Sequence, residues 1–84
     1  MRQNKFTSKP YPIDLHGVRH EYVTEILEKT LLGYHNTDGY EIITGNSAHM
    51  IQIVETWLKK HNFHWFRKPH NYGRIVIRDV YYNG

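Results

Sequence analysis

Apolar residues along the chain fall into short runs of four or five, separated by longer stretches in which they recur every three or four positions. Short apolar runs bounded by turn residues indicate strands, and steps of three and four indicate helices. Tyr11-Pro12-Ile13-Asp14-Leu15 is the first strand. Pro12 lacks a backbone donor, which suits a strand start or a sheet edge. From Arg19 to about Tyr34, residues Tyr22, Val23, Ile26, Leu27, Leu31 and Tyr34 form one helical stripe. Glu25 and Lys29 add an exposed pair four residues apart. Arg19 is a poor N-cap type, so this start is weakly specified. Asn36-Thr37-Asp38-Gly39 is turn chemistry, and Tyr40–Thr44 is the second strand.

After Gly45-Asn46-Ser47, the positions Met50, Ile53, Val54, Trp57, Leu58 and His61 make a second helical stripe. Ser47 is a natural N-cap, and Lys59 and Lys60 suit the negative end of the helix dipole. His64–Lys68 is a third strand, Pro69–Gly73 a loop, and Arg74–Arg78 a fourth strand rich in β-branched residues. The order is β-α-β-α-β-β. It predicts an α/β fold of the α+β sandwich type: a small four-stranded mixed sheet packed with two helices. A β-α-β crossover makes strands one and two parallel, and the short last loop makes strands three and four antiparallel. Residues 1–9 are polar apart from Phe6 and read as a flexible arm, leaving residues 10–84 as one domain.

The chain has 84 residues and no cysteine. A chain of this size buries only about 60% of its unfolded surface, so a groove or flat face is easier to build than a deep cofactor pocket. Without cysteine there are no disulfides or thiolate metal sites. No apolar run approaches the roughly 18 residues of a bilayer span, and the first residues form no apolar leader. The expectation is a soluble cytoplasmic protein with no membrane partner.

The net charge is +3, and the distribution of charge says more than its sum. Lys59, Lys60, Arg67, Lys68, Arg74 and Arg78 lie in the last third, near Trp57, Trp65, Phe66 and Tyr72. Cations attract phosphate and aromatic faces stack on unpaired bases. The plainer alternative is a solvated surface over an aromatic core.

Two polar strand ends carry candidate chemistry. Asp14 and His16 are two apart, which in a strand puts both side chains on one face. A carboxylate beside an imidazole orients the ring and stabilises the imidazolium, so the pair can activate water or a ribose hydroxyl for attack on phosphorus. Gly17 allows a tight turn or close ligand approach. The alternative is that Asp14 caps the turn and His16 makes a structural hydrogen bond. Thr44-Gly45-Asn46-Ser47 ends the second strand and opens the second helix, where free backbone N–H groups make a phosphate site. It is not a P-loop, because the Gly-Lys-Ser/Thr ending is missing. The alternative is an ordinary capped turn. His16, His20, His49, His61, His64 and His70 follow no recognised ligand spacing. No tightly bound metal is expected, while transient Mg²⁺ or Mn²⁺ near Asp14 stays open.

Asp14-Leu15-His16-Gly17, then a helix, then Thr44-Gly45 at a strand end resembles the Smr, or small MutS-related, domain family. The resemblance covers roughly residues 10 to 79. Val54, Trp57 and Leu58 look like that family's second helix, and Gly73 before Ile75-Val76-Ile77 like its last loop and strand. Ser47 stands where the family usually has a glycine, an apolar residue near Ile51 replaces a common basic one, and the glycine-rich loop is reduced to Gly73. The resemblance implies an endonuclease that nicks DNA or cleaves RNA. Asp14 and His16 are then the catalytic positions. Thr44 and Gly45 match the start of its second motif; with Gly17, Asn46, Ser47, Lys68 and Arg74, chosen for turn chemistry and charge, they are the expected nucleic-acid or phosphate contacts. Two alternatives are a non-catalytic nucleic-acid-binding module of the same fold and a small protein–protein adaptor. Substrate choice between RNA and DNA and the oligomeric state stay open.

Overall fold

A computed structural model describes residues 10–33, 39–68 and 70–78, without the Tyr72 side chain. The arm expected at 1–9 and the turn residues Asn36–Asp38 lie outside the described residues. The elements are β1 (Tyr11–Asp14), α1 (His20–Leu27) continued by a π-helical turn (Glu28–Leu32), β2 (Tyr40–Ile43), α2 (Ala48–Lys60), β3 (Phe66–Lys68) and β4 (Asn71–Ile77). They form a four-stranded sheet in the order β1-β2-β4-β3. β1 and β2 are parallel, and the β2–β4 and β3–β4 pairs are antiparallel. The predicted order and mixed sheet are therefore present.

The sheet has two unlike faces, because successive side chains of a strand point to opposite sides. Ile13, Tyr40, Ile42, Ile75 and Ile77 face the helices and share one buried cluster with Val23, Leu27 and Leu31 of the first helix and Val54, Trp57 and Leu58 of α2. Tyr11 pairs with Tyr40 on this side, their rings edge to face at 6.2 Å. The alternate positions make two rows across the other face. One row is Asp14, Ile43 and Arg74; the other is Pro12, Glu41, Val76 and Phe66. Among the described residues no helix covers this second face. We call it the open face because it is free of described helices, although Val76 on it is buried; helices on one side only are common for a small sheet with antiparallel pairs.

The first helix is not α-helical throughout, as its stripe predicts. Val23, Leu27 and Leu31 are all buried, in steps of four. Each such step overruns an α-helical turn by about 40°. The wider π turn takes up that overrun and returns Leu31 to the core. Tyr22, expected in the stripe, is instead 49% exposed. The helix begins after Arg19 with no side-chain cap.

α2 is better delimited. Ser47 Oγ accepts the Met50 N–H at 3.1 Å. At the other end Asn62 adopts φ 63°, and Phe63 N–H and Asn62 N–H donate to the Leu58 and Lys59 carbonyls. That is a Schellman termination with asparagine in the left-handed position. β4 starts at Asn71, three residues earlier than the hydrophobic pattern indicates, because Gly73 and its neighbours pair instead of looping. The strand register shifts between Arg67 and Lys68.

Replacing Ser47 with alanine leaves a helix N–H without its partner. Ser47→Ala should destabilise the fold by about 1 kcal/mol, measured by chemical denaturation, with Ser47→Asp retaining most of the stability.

Candidate functional site

β1 and β2 are parallel, so their carboxyl ends reach the same rim, and each releases its chain there into the turn that precedes a helix. The β ladder runs one residue past β1, with Leu15 N–H donating to the Ile43 carbonyl at 2.8 Å. Leu15 is fully buried and anchors the turn. Gly17, at φ +83°, then turns the chain towards α1 with open space around it. Its role here is backbone conformation, not close packing.

Asp14 and His16 are joined at this rim. Asp14 Oδ1 lies 2.8 Å from His16 Nδ1 and also accepts the His16 backbone N–H at 3.2 Å. The turn cap and the carboxylate–imidazole pair are thus the same contact. Both side chains stay more than half exposed. The hydrogen bonds from the His16 ring and backbone hold the Asp14 carboxyl below its usual range, with a smaller contribution from the nearby charge of Arg74. Arg74 lies in the same row, two strands away across Ile43.

The second turn sits against the first. A Cβ built on Gly45, itself at φ +73°, would lie 3.3 Å from His16 Cβ. Gly73 closes the group from β4: a Cβ there would lie 2.8 Å from the Gly45 carbonyl oxygen. The Gly73 carbonyl accepts the Thr44 N–H at 2.8 Å and the Gly45 N–H at 3.3 Å, while the Thr44 hydroxyl donates to the Gly45 carbonyl at 2.8 Å and lies 3.1 Å from that of Gly73. This corrects one expectation. The amides of Thr44 and Gly45 are engaged by Gly73, and the Thr44 side chain is buried. Neither residue is a free phosphate donor. Ser47 caps α2. Asn46 and Ser47 are both exposed on the same turn.

Lys68 and Arg74 converge on Glu41 of the open face. Arg74 Nη1 is 2.7 Å and Lys68 Nζ 3.5 Å from Glu41 Oε2. The Arg74 hydrogen bond and the charge of Lys68 hold the Glu41 carboxyl below its usual range. The rest of the basic and aromatic cluster is divided. Trp57 is buried, and Trp65 packs on the core. Glu55 of α2 accepts the Trp65 indole N–H at 3.2 Å and both Nε and Nη2 of Arg67 at 2.7 and 2.8 Å. These residues clasp β3 to α2. Phe66, on the opposite side of β3, is 50% exposed.

The sequence reading missed Glu41 and Glu55 as organisers. An acid in an otherwise apolar strand, opposite basic positions of the last strands, was the available signal for Glu41. His20 and His49, at the starts of the two helices, touch edge to face at 4.4 Å. Among the described residues no three His, Asp or Glu side chains converge on a metal position.

Two measurements follow from this geometry. Gly73→Ala drives a Cβ into the Gly45 backbone, and relieving overlaps of this kind typically costs about 1–3 kcal/mol. Denaturation should show that loss, and the nuclear magnetic resonance signals of His16 should shift with it. Secondly, Asp14, Glu41 and Glu55 all have depressed folded-state pKa values. Their stabilisation is therefore present above the ordinary carboxylate range and is lost as pH falls through their lowered values. The melting temperature should decline on acidification, and Glu55→Gln should make that decline shallower.

Comparison with protein-family models, with curated proteins and with solved structures gives no match.

Proposed function

We propose that this protein is an endonuclease that cleaves phosphodiester bonds in RNA or DNA, with Asp14 and His16 as its catalytic residues. The observation that carries this reading is the 2.8 Å Asp14–His16 contact on an exposed rim, beside the Gly45 turn and near Arg74. The likeness of Asp14-Leu15-His16-Gly17 and Thr44-Gly45 to the Smr motifs supports it. A cytoplasmic setting belongs to the same proposal. No described helix is long and apolar enough to cross a membrane.

In this reading the ring proton sits on Nδ1, donated to Asp14, and the Nε2 lone pair is left for the reaction. Nε2 takes a proton from water or a ribose 2′-hydroxyl. The oxygen so activated bonds to phosphorus, and the phosphorus–oxygen bond to the leaving group breaks. The imidazolium returns its proton to the departing oxygen, directly or through water. Ionised Asp14 stabilises the imidazolium in between. Arg74 adds positive charge on the side where the phosphate accumulates negative charge. Among the described residues, Asp14 supplies the one carboxylate paired with His16. A transient Mg²⁺ or Mn²⁺ would draw its other ligands from phosphate and water, and no step above is routed through it.

The non-catalytic alternative draws on the Gly73 contact, which occupies amides that would otherwise receive phosphate. Purified protein with end-labelled RNA and DNA, with and without divalent metal, separates the readings. His16→Ala should reduce cleavage by roughly 10²–10⁴-fold while affinity changes little. Asp14→Asn should also impair turnover. The double variant should be little worse than the worse single one, since the pair acts as a unit. Unchanged cleavage in both single variants, or no cleavage by the parent on any substrate, would replace the nuclease with the binding module.

A further inference from the structure

The open sheet face carries an exposed aromatic ring and basic groups at some distance from the Asp14–His16 pair. Phe66 pairs in register with Val76, and Arg67 with Ile75. Ile75 is in the helix-side core, and Arg67 bonds Glu55 of α2. Phe66 must therefore project from the opposite face, the one that also presents Glu41 and Arg74. The register shift after Arg67 still leaves Lys68 on that face, because its ammonium reaches Glu41. Val76 beneath the ring is buried although it lies outside the helix-side cluster. Phe66 itself keeps half its surface exposed.

Glu41 does not use up its two cations. It takes Nη1 of Arg74 at 2.7 Å and meets the Lys68 ammonium only at 3.5 Å. A guanidinium has five N–H donors and an ammonium three, so donors remain to face outward. The carboxylate fixes where these groups stand, while the two positive charges exceed its single negative one. A polyanion is the complementary occupant, and the exposed ring specifies one with accessible base faces. Duplex bases are stacked on each other and offer no face to Phe66, whereas single-stranded bases do.

We infer that the open sheet face is a single-strand-binding platform, on which a base stacks on Phe66 while neighbouring phosphates contact Lys68 and Arg74. This deepens the nuclease reading and rests on it for the direction of the strand. Phe66 lies three strands from Asp14 and one row below it. With strand spacing near 4.8 Å and a two-residue step near 6.7 Å, the separation is roughly 16 Å. A few nucleotides of extended strand bridge that distance. The strand runs across β3, β4 and β2 towards the rim and brings a phosphate to His16.

The test is equilibrium binding of fluorescent single-stranded RNA, single-stranded DNA and duplex DNA at low salt, read by anisotropy without reference to cleavage. The parent should prefer single strands of either sugar to duplex. Phe66→Ala should weaken single-strand affinity by about 5- to 150-fold, the range expected for one base–aromatic stack, and Phe66→Trp should restore it. Lys68→Ala and Arg74→Ala should each reduce the salt slope of single-strand binding by about 0.7. Far-ultraviolet circular dichroism of every variant reports whether it is folded. Equal affinity of folded Phe66→Ala and parent for single strands overturns the platform but leaves the proposed catalytic pair standing. A preference for duplex overturns it as well. Binding and Phe66 dependence as expected, with no cleavage, would uphold the platform and remove the nuclease. No binding of any strand by the parent overturns both.

Discussion

The site rests on the backbone carbonyl of Gly73. It receives the amides of Thr44 and Gly45 and so ties the end of β2 to β4. A Cβ on Gly73 would overlap the Gly45 backbone, and one on Gly45 would press on the His16 Cβ. The consequence is geometric. Gly45 is held under His16, and His16 is held by Asp14 at the end of β1. Asp14 thus orients an exposed imidazole, beside a turn that β4 ties to the end of β2. A rotamer-free support beneath an exposed side chain is an efficient way for a small domain to preorganise a group without burying it, since little core volume is needed.

The same economy governs the charged residues. Two glutamates, Glu41 and Glu55, divide the basic and aromatic residues of the last third between opposite faces of the sheet. Glu55 pulls Arg67 and the Trp65 indole onto α2, where they hold the short edge strand β3 in place. Glu41 keeps Lys68 and Arg74 on the open face. Bidentate arginine–carboxylate geometry is among the stronger polar contacts. At β3 it supplements a strand whose three residues are all exposed. The aromatic and basic cluster is thus neither wholly core nor wholly binding surface. Strand alternation decides which residue takes which role.

Element order, strand direction and the rim shared by the two turns were legible in the sequence, because they follow from periodicity and from the parallel pairing that a β-α-β crossover requires. The caps at Ser47 and the poor start at Arg19 were legible for the same local reason. What could not be read was whatever depends on register. Whether Lys68 or Arg67 faces the helices changes with a one-residue slip, and the irregularity between them has no local sequence signature. The π turn at Glu28–Leu32 was hidden because Leu27 and Leu31 fit an α-helical stripe as well. The use of the Thr44 and Gly45 amides was hidden because their acceptor, Gly73, lies 28 and 29 residues away along the chain and entered the reading as part of a loop.

If the proposed reaction takes place at Asp14 and His16, their exposure constrains what it can draw on. Electrostatic stabilisation is strongest where water is excluded, and Asp14 and His16 stand in water. A small substrate would leave them there, with the Asp14–His16 interaction weakened by the surrounding dielectric. A polymer lying across the rim covers them instead, and brings its own apolar base and sugar surfaces to displace solvent. The architecture therefore favours a substrate held at a distance from the chemistry, where contacts remote from the cleaved bond position the phosphate and complete the enclosure that the small domain lacks.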